Sequence, residues 1–159
     1  MIQHAATRPK APDISGTHLW LVMMKAHRTL ERLAESSIES SEVCLSDFAV
    51  MEMLLHKGPQ PVNEIGRRIE LTSGAITTAV DRLESRGLVT REAHESDRRT
   101  RIVRLTPRGK EEAAKVFAGH KTAMDLAATG LSKTERATLI QLLRKLGTTA
   151  GDSSAQKEK

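Results

Sequence analysis

Between Ser46 and Leu105 the chain changes its hydrophobic period, and that change restricts the fold more than any other feature. Ser46 is placed to cap a helix whose apolar stripe is Phe48, Met51, Leu54 and Leu55. Gly58 followed by Pro59 stops it. Pro61 opens a short helix carrying Val62, Ile65 and Ile69. A turn at Glu70 and Leu71 leads to Thr72, the expected cap of a further helix with Ile76, Val80 and Leu83, which ends before Gly87. Three helices in quick succession, the last two separated by a few residues, have the order of a helix-turn-helix. Beyond Gly87 the helical period is lost. Residues 88–91 and 102–105 read as short strands around the polar run EAHESDRRTR. Directly after a helix-turn-helix, such a charged hairpin reads as a wing; an ordinary surface hairpin fits the same spacing.

The flanks are helical. Residues 1–14, with Pro9 and Pro12, read as a flexible arm. A first helix starts near Ser15 or Thr17, repeats Leu19, Val22, Met23, Ala26, Leu30 and Leu33 at three- and four-residue steps, and ends near Ile38. Thr106-Pro107 is a strong helix start, and Ala113, Val116, Phe117, Met124 and Ala127 carry that helix to about Ala128. Ser132 and Glu135 form a capping box for a last helix with Leu139, Leu142, Leu143 and Leu146, expected to end before Gly147. Residues 148–159 read as a flexible tail. The apolar faces of 15–38 and 107–147 need cover, either from their own domain or from a second chain. The pattern predicts a mainly α fold: a winged helix-turn-helix lobe at 45–106 with a two-stranded wing, and terminal helices forming a dimerisation region.

Composition narrows the function classes. A chain of 159 residues fits one domain. Its aromatic residues are Trp20, Phe48 and Phe117, too few for the stacking platforms that hold single strands. The net charge of +5 is uneven: from Arg91 to Lys110 there are seven Arg or Lys against three Asp or Glu. That patch favours a polyanionic partner. The single Cys44 permits no intrachain disulfide, and the N-terminus lacks the apolar core of a signal peptide. A cytoplasmic location is expected, with no membrane association.

Candidate contacts follow from the elements. Thr72, Ser73, Gly74, Thr77 and Thr78 put small groups at a helix N-terminus, where open amides and the helix dipole suit phosphates or base edges. Thr72 and Ser73 serve equally well as plain caps. Arg82 and Arg86, like Arg67 and Arg68, read either as phosphate contacts or as solvated charges. In the hairpin, Arg98, Arg99, Arg101 and Arg104 suit a narrow minor groove, and Asp97 suits orienting an arginine or shaping the turn. The six histidines are scattered, with no HExxH pair, metal-ligand spacing or glycine-rich nucleotide loop. No enzyme, metal or cofactor is expected. Cys44 reads as a thiol redox or electrophile sensor if exposed, and as a small packed hydrophobe if not.

The stretches LSDFAVMEML, PVNEIGRRIELTSGAITTAVDRLESRGLVTR and DRRTRIVRLTPRGKE together resemble the MarR family of winged helix-turn-helix regulators. The resemblance implies a homodimer with interleaved first and last helices, and a recognition helix over 72–86 that binds a near-palindromic DNA duplex. It implies that Arg99 reaches the minor groove or pairs with Asp81, and that Asp97 fills the family's wing aspartate position. Members of the family mostly repress nearby genes and release DNA when a small aromatic or phenolic compound, or an oxidant, acts on them. The family's ligand pocket points here to His18, Met23 and Met51. The run HKGPQPVNEIGRRIELTSGAITTAVDRLE is similar to a subgroup that responds to quinones and hydroquinones. Its oxidant-sensing relatives place a reactive cysteine near the start of the first helix, and this chain has none there. A winged-helix protein-interaction module is the competing class.

Overall fold

The computed structural model describes residues 13–93 and 100–155. The elements run α1 (Gly16–Ile38), α2 (Leu45–Lys57), β1 (Gln60–Pro61), α3 (Val62–Arg68), α4 (Ser73–Ser85), β2 (Val89–Ala93), β3 (Arg101–Leu105), α5 (Pro107–Ala127) and α6 (Lys133–Ala155), with a single 3-10 turn at Glu39–Ser41. This is the mainly helical fold with a small β-wing that the change of period predicts.

Local chemistry sets most helix starts. Thr72 Oγ1 accepts from the Ala75 amide at 3.2 Å and begins α4. Thr106 Oγ1 accepts from the Gly109 amide at 2.9 Å and begins α5, with Pro107 in its first turn. The capping box is reciprocal: Ser132 N–H donates to Glu135 Oε2 at 2.8 Å, and Glu135 N–H donates to Ser132 Oγ at 3.3 Å.

Three details depart from the sequence expectation. Helix α2 begins at Leu45, one residue before Ser46, with Cys44 at the cap position and no side-chain cap bond. Gln60 and Pro61 form a strand, paired with Val103 and Ile102, so the sheet has three antiparallel strands in the order β1-β3-β2. Two residues are too few to show an alternation, and the edge position tolerates a proline that has no N–H to donate. Finally, α6 runs through Gly147 to Ala155, so the expected tail is helical over most of its length. A glycine ends a helix when it turns left-handed. Gly58 and Gly87 do so, with φ of 72° and 69°, and Gly147 does not.

The core belongs to the central lobe. Phe48, Val50, Met51 and Leu54 of α2 meet Ile76, Val80 and Leu83 of α4, Val89 and Val103 of the sheet, and Ala113 and Val116 of α5. One close approach fixes the register of wing and α5. A Cβ on Gly109 would sit 1.9 Å from the Leu88 carbonyl oxygen, so only glycine fits. Thr106 reinforces the junction: its N–H donates to Leu88 O at 3.0 Å and its hydroxyl to Gly87 O at 2.8 Å.

The chain ends are different. α5 packs on α1 and α2, whereas α6 has no packing partner of substance among the described residues. Leu19, Trp20 and Val22 of α1, and Leu139, Ile140, Leu142 and Leu143 of α6, are 44–59% exposed in the single chain. Among the described residues no helix is long and apolar enough to cross a membrane.

Candidate nucleic-acid interface

Helix α4 is divided cleanly between core and solvent. Ile76, Ala79, Val80 and Leu83 are buried. Gly74, Thr77, Thr78, Asp81 and Ser85 form the opposite, exposed stripe. The Ser73 and Gly74 amides at the start of α4 have no intrahelical acceptor, while that of Ala75 is taken by Thr72 Oγ1. A Cβ on Gly74 would meet nothing within 4 Å, so the protein's own packing does not require glycine there. Thr72 caps the helix, while Ser73, Thr77 and Thr78 lie exposed as the sequence suggests.

The helix is held in place by three arginines. Arg82 turns towards α2, donating to both carboxylate oxygens of Asp47, from Nε at 3.1 Å and from Nη2 at 2.5 Å. Asp47 is 3% exposed, the buried charged residue among the described residues. Its hydrogen bonds raise the Arg82 pKa above the ordinary guanidinium value. Nη2 of Arg82 also lies 3.1 Å from Cys44 Sγ and 3.2 Å from Ser46 Oγ. Arg86 donates to the Glu42 and Ser41 carbonyls, tying the end of α4 to the α1–α2 connection. Arg91, on β2, pairs with Asp81 at 2.6 Å and Glu84 at 2.8 Å and donates to the Thr77 carbonyl at 3.3 Å.

These ties revise several sequence readings. Arg82 and Arg86, candidates for phosphate contact, are tied to acceptors of the lobe, Arg82 to Asp47 with its side chain still 45% exposed and Arg86 to the Glu42 and Ser41 carbonyls. Spacing alone does not reveal this, because the acceptors lie some 35 to 45 residues away in sequence. Asp47 and Arg91 received no individual role in the sequence reading, although a carboxylate set within the apolar first turn of α2 is the signal that marks Asp47. Among the described residues Asp81 pairs with Arg91; Arg99, which the resemblance places in the minor groove or against Asp81, lies outside them.

A cleft of about 720 Å³ opens between α3, the start of α4 and the sheet. Val62, Leu71 and Ile76 give it apolar walls, and Arg67, Arg91 and Arg101 its charge. Arg67 is paired with Glu64 at 2.7 Å, and Arg101 is exposed at the start of β3. Asp97, Arg98 and Arg99 lie outside the described residues.

The expected ligand-pocket residues do not form one site. His18 is exposed in the first turn of α1, Met23 is half-buried on the same helix, and Met51 is 0% exposed in the lobe core. Met51 faces inward because it shares the buried stripe of α2 with Phe48 and Leu54. Cys44 is exposed. Among the described residues no group of three His, Cys, Asp or Glu is placed to hold a metal ion.

A capped helix with an open N-terminus, beside a basic two-stranded wing, defines a winged-helix nucleic-acid-binding protein. Comparison with known proteins narrows the class. Residues 45–100 match the MarR family model. The HTH-type transcriptional regulator MhqR of Bacillus subtilis (strain 168) is 33% identical over 132 residues, covering 83% of this chain and 91% of that protein. A probable transcriptional regulator from Pseudomonas aeruginosa superposes with a TM-score of 0.73 at 29% identity, over 80% of this chain and 96% of that one. Reduced AbfR bound to DNA superposes with a TM-score of 0.71 at 26% identity, over 86% and 92%. The chain belongs to the MarR family and is a DNA-binding regulator.

Replacing Asp47 with Ala should separate support from contact, since Asp47 faces no solvent. We expect a loss of about 2 kcal/mol in urea denaturation, the scale of hydrogen bonds to a charged group. DNA affinity should fall with it, because Arg82 is released and α4 loses its seat. Unchanged stability and unchanged DNA affinity would show that the pair does not position the helix.

Proposed function

We propose that the chain is a homodimeric transcriptional repressor that binds a near-palindromic operator through α4 and the wing. The observation that carries this is the exposed Gly74-Thr77-Thr78 face at the open end of α4, held rigidly by Asp47–Arg82 and flanked by the cationic hairpin. α4 enters a major groove, and Ser73 and the first amides meet phosphates. Arg98, Arg99 and Arg101 reach for the adjacent minor groove.

The dimer is supported by the apolar faces of the chain ends. Among the described residues helix α6 has little to pack on, and helices draw most of their stability from tertiary packing. The two copies, meeting through 15–38 and 107–147, would place their recognition helices about 34 Å apart, one helical turn of DNA. An aromatic or phenolic effector rests on family membership. The apolar and cationic cleft beside Thr77 and Arg91 suits such a molecule, and filling it would compete with DNA at the foot of α4.

A second regulatory reading has its own observation. Cys44 is exposed, and its sulfur touches the guanidinium that anchors α4. A quinone would add this sulfur to a ring carbon; the thiol proton and the hydrogen of that carbon end on the two quinone oxygens, giving a thioether-substituted hydroquinone. The adduct would crowd Arg82 and loosen α4. Labelling the sole cysteine with N-ethylmaleimide should then weaken DNA binding about tenfold in the native protein and leave Cys44→Ser unaffected. Labelled protein that binds as before would contradict the thiol reading.

Titration of the purified protein against the DNA upstream of its own gene, at several salt concentrations, tests the main proposal. We expect preference over random duplex at every salt, with affinity falling steeply as salt rises. Arg99→Ala should weaken binding about tenfold, the scale of one lost charge-assisted contact. Absence of any preference over random duplex would overturn the proposal.

A further inference from the structure

We propose that α4 selects its operator through the C5 methyl groups of thymines, which the Cγ2 methyls of Thr77 and Thr78 contact in the major groove. The inference rests on the DNA-binding reading and concerns what that face is able to distinguish.

The exposed stripe of α4 is Gly74, Thr77, Thr78, Asp81 and Ser85. None of these is Arg, Lys, Asn or Gln, the side chains that grip guanine O6 and N7 or adenine N6 and N7 with paired hydrogen bonds. Helix α4 contains one basic residue, Arg82, and its guanidinium is held by both carboxylate oxygens of Asp47 on α2. Asp81 offers acceptors alone, and its carboxylate is paired with Arg91 at 2.6 Å.

The threonine hydroxyls are also directed inward. Thr77 Oγ1 donates to the Ser73 carbonyl at 2.8 Å, and Thr78 Oγ1 donates to the Gly74 carbonyl at 3.0 Å. Each hydroxyl has a single proton, and that proton is engaged. With the oxygen turned to the helix backbone, the methyl is the group that each side chain turns outward. Two adjacent methyls on the first two turns form a small apolar surface. The thymine methyl is the apolar group that base pairs present in the major groove. Gly74 completes the arrangement: without a Cβ and with nothing within 4 Å, it lets the helix approach closely enough for methyl to meet methyl.

The experiment starts with duplexes enriched from a random pool by the full-length protein. The best duplex is then remade with deoxyuridine in place of thymine, one position at a time, which removes the methyl and leaves base pairing intact. We expect about fourfold weaker binding for each contacted methyl, the scale of one buried methyl group. Thr77→Ser and Thr78→Ser should lose a similar factor and become insensitive to deoxyuridine at the matching position. Thr77→Val and Thr78→Val, which keep the methyl, should bind the original duplex as the native protein does. Equal binding of every deoxyuridine duplex would overturn the proposal, as would a loss confined to replacement of guanine by 7-deazaguanine. The deoxyuridine arm leaves the protein untouched, so misfolded variants do not obscure it. A pool that yields no enriched duplex would instead overturn the DNA-binding reading, and this one with it.

Discussion

The buried carboxylate of Asp47 must be paired, and the lobe is organised around the arginine that pairs it. An isolated charge inside a lobe of Phe48, Met51 and Leu54 would be strongly unfavourable. Arg82 answers it with two hydrogen bonds while keeping part of its own side chain in water, which limits the desolvation penalty of the pair. Apolar packing alone brings α2 and α4 together but leaves their relative rotation loosely set. A two-pronged guanidinium–carboxylate contact is directional, and it fixes which face of α4 looks outward. Arg86 and Arg91 add the second and third points of attachment, to the α1–α2 connection and to the wing.

The same rigidity reaches the chain ends through α5. Gly109 sits against the Leu88 carbonyl, so α5 leaves the sheet at one fixed distance. Further along α5, the His120 ring packs against Phe48 of α2 at a tilt of 54°, with ring centroids 4.8 Å apart, and bonds Ser37 of α1 at 2.9 Å. The Ser37 hydroxyl donates its proton to the Ala34 carbonyl at 2.6 Å, so His120 Nδ1 carries the hydrogen and donates it to Ser37. One ring thereby joins three helices where the DNA-binding lobe meets the terminal helices.

Much of this was legible in the sequence, for a physical reason: caps, breakers and periodicity are local. Thr72, Thr106 and the Ser132–Glu135 pair act within one turn of helix, and the change of period after Gly87 located the wing. What sequence did not show depends on distance. Arg82 looks solvent-bound until Asp47, 35 residues earlier, is folded against it. Strand β1 exists because β3 is there to pair with it. For Met51 the apolar stripe of α2 and the family's pocket point to different roles, and the fold commits it to the core. Gly147 looked like a stop, and only its backbone conformation shows that α6 continues.

Hydrogen exchange on the full-length protein, with and without an enriched duplex, tests the central claim that α4 and the wing form the DNA-contacting surface. The account predicts that DNA slows exchange in the first turns of α4, over 73–78, and in β3, with the exposed half of α6 unchanged. Protection confined to α1, α5 and α6, with α4 exchanging as it does in the free protein, would contradict it.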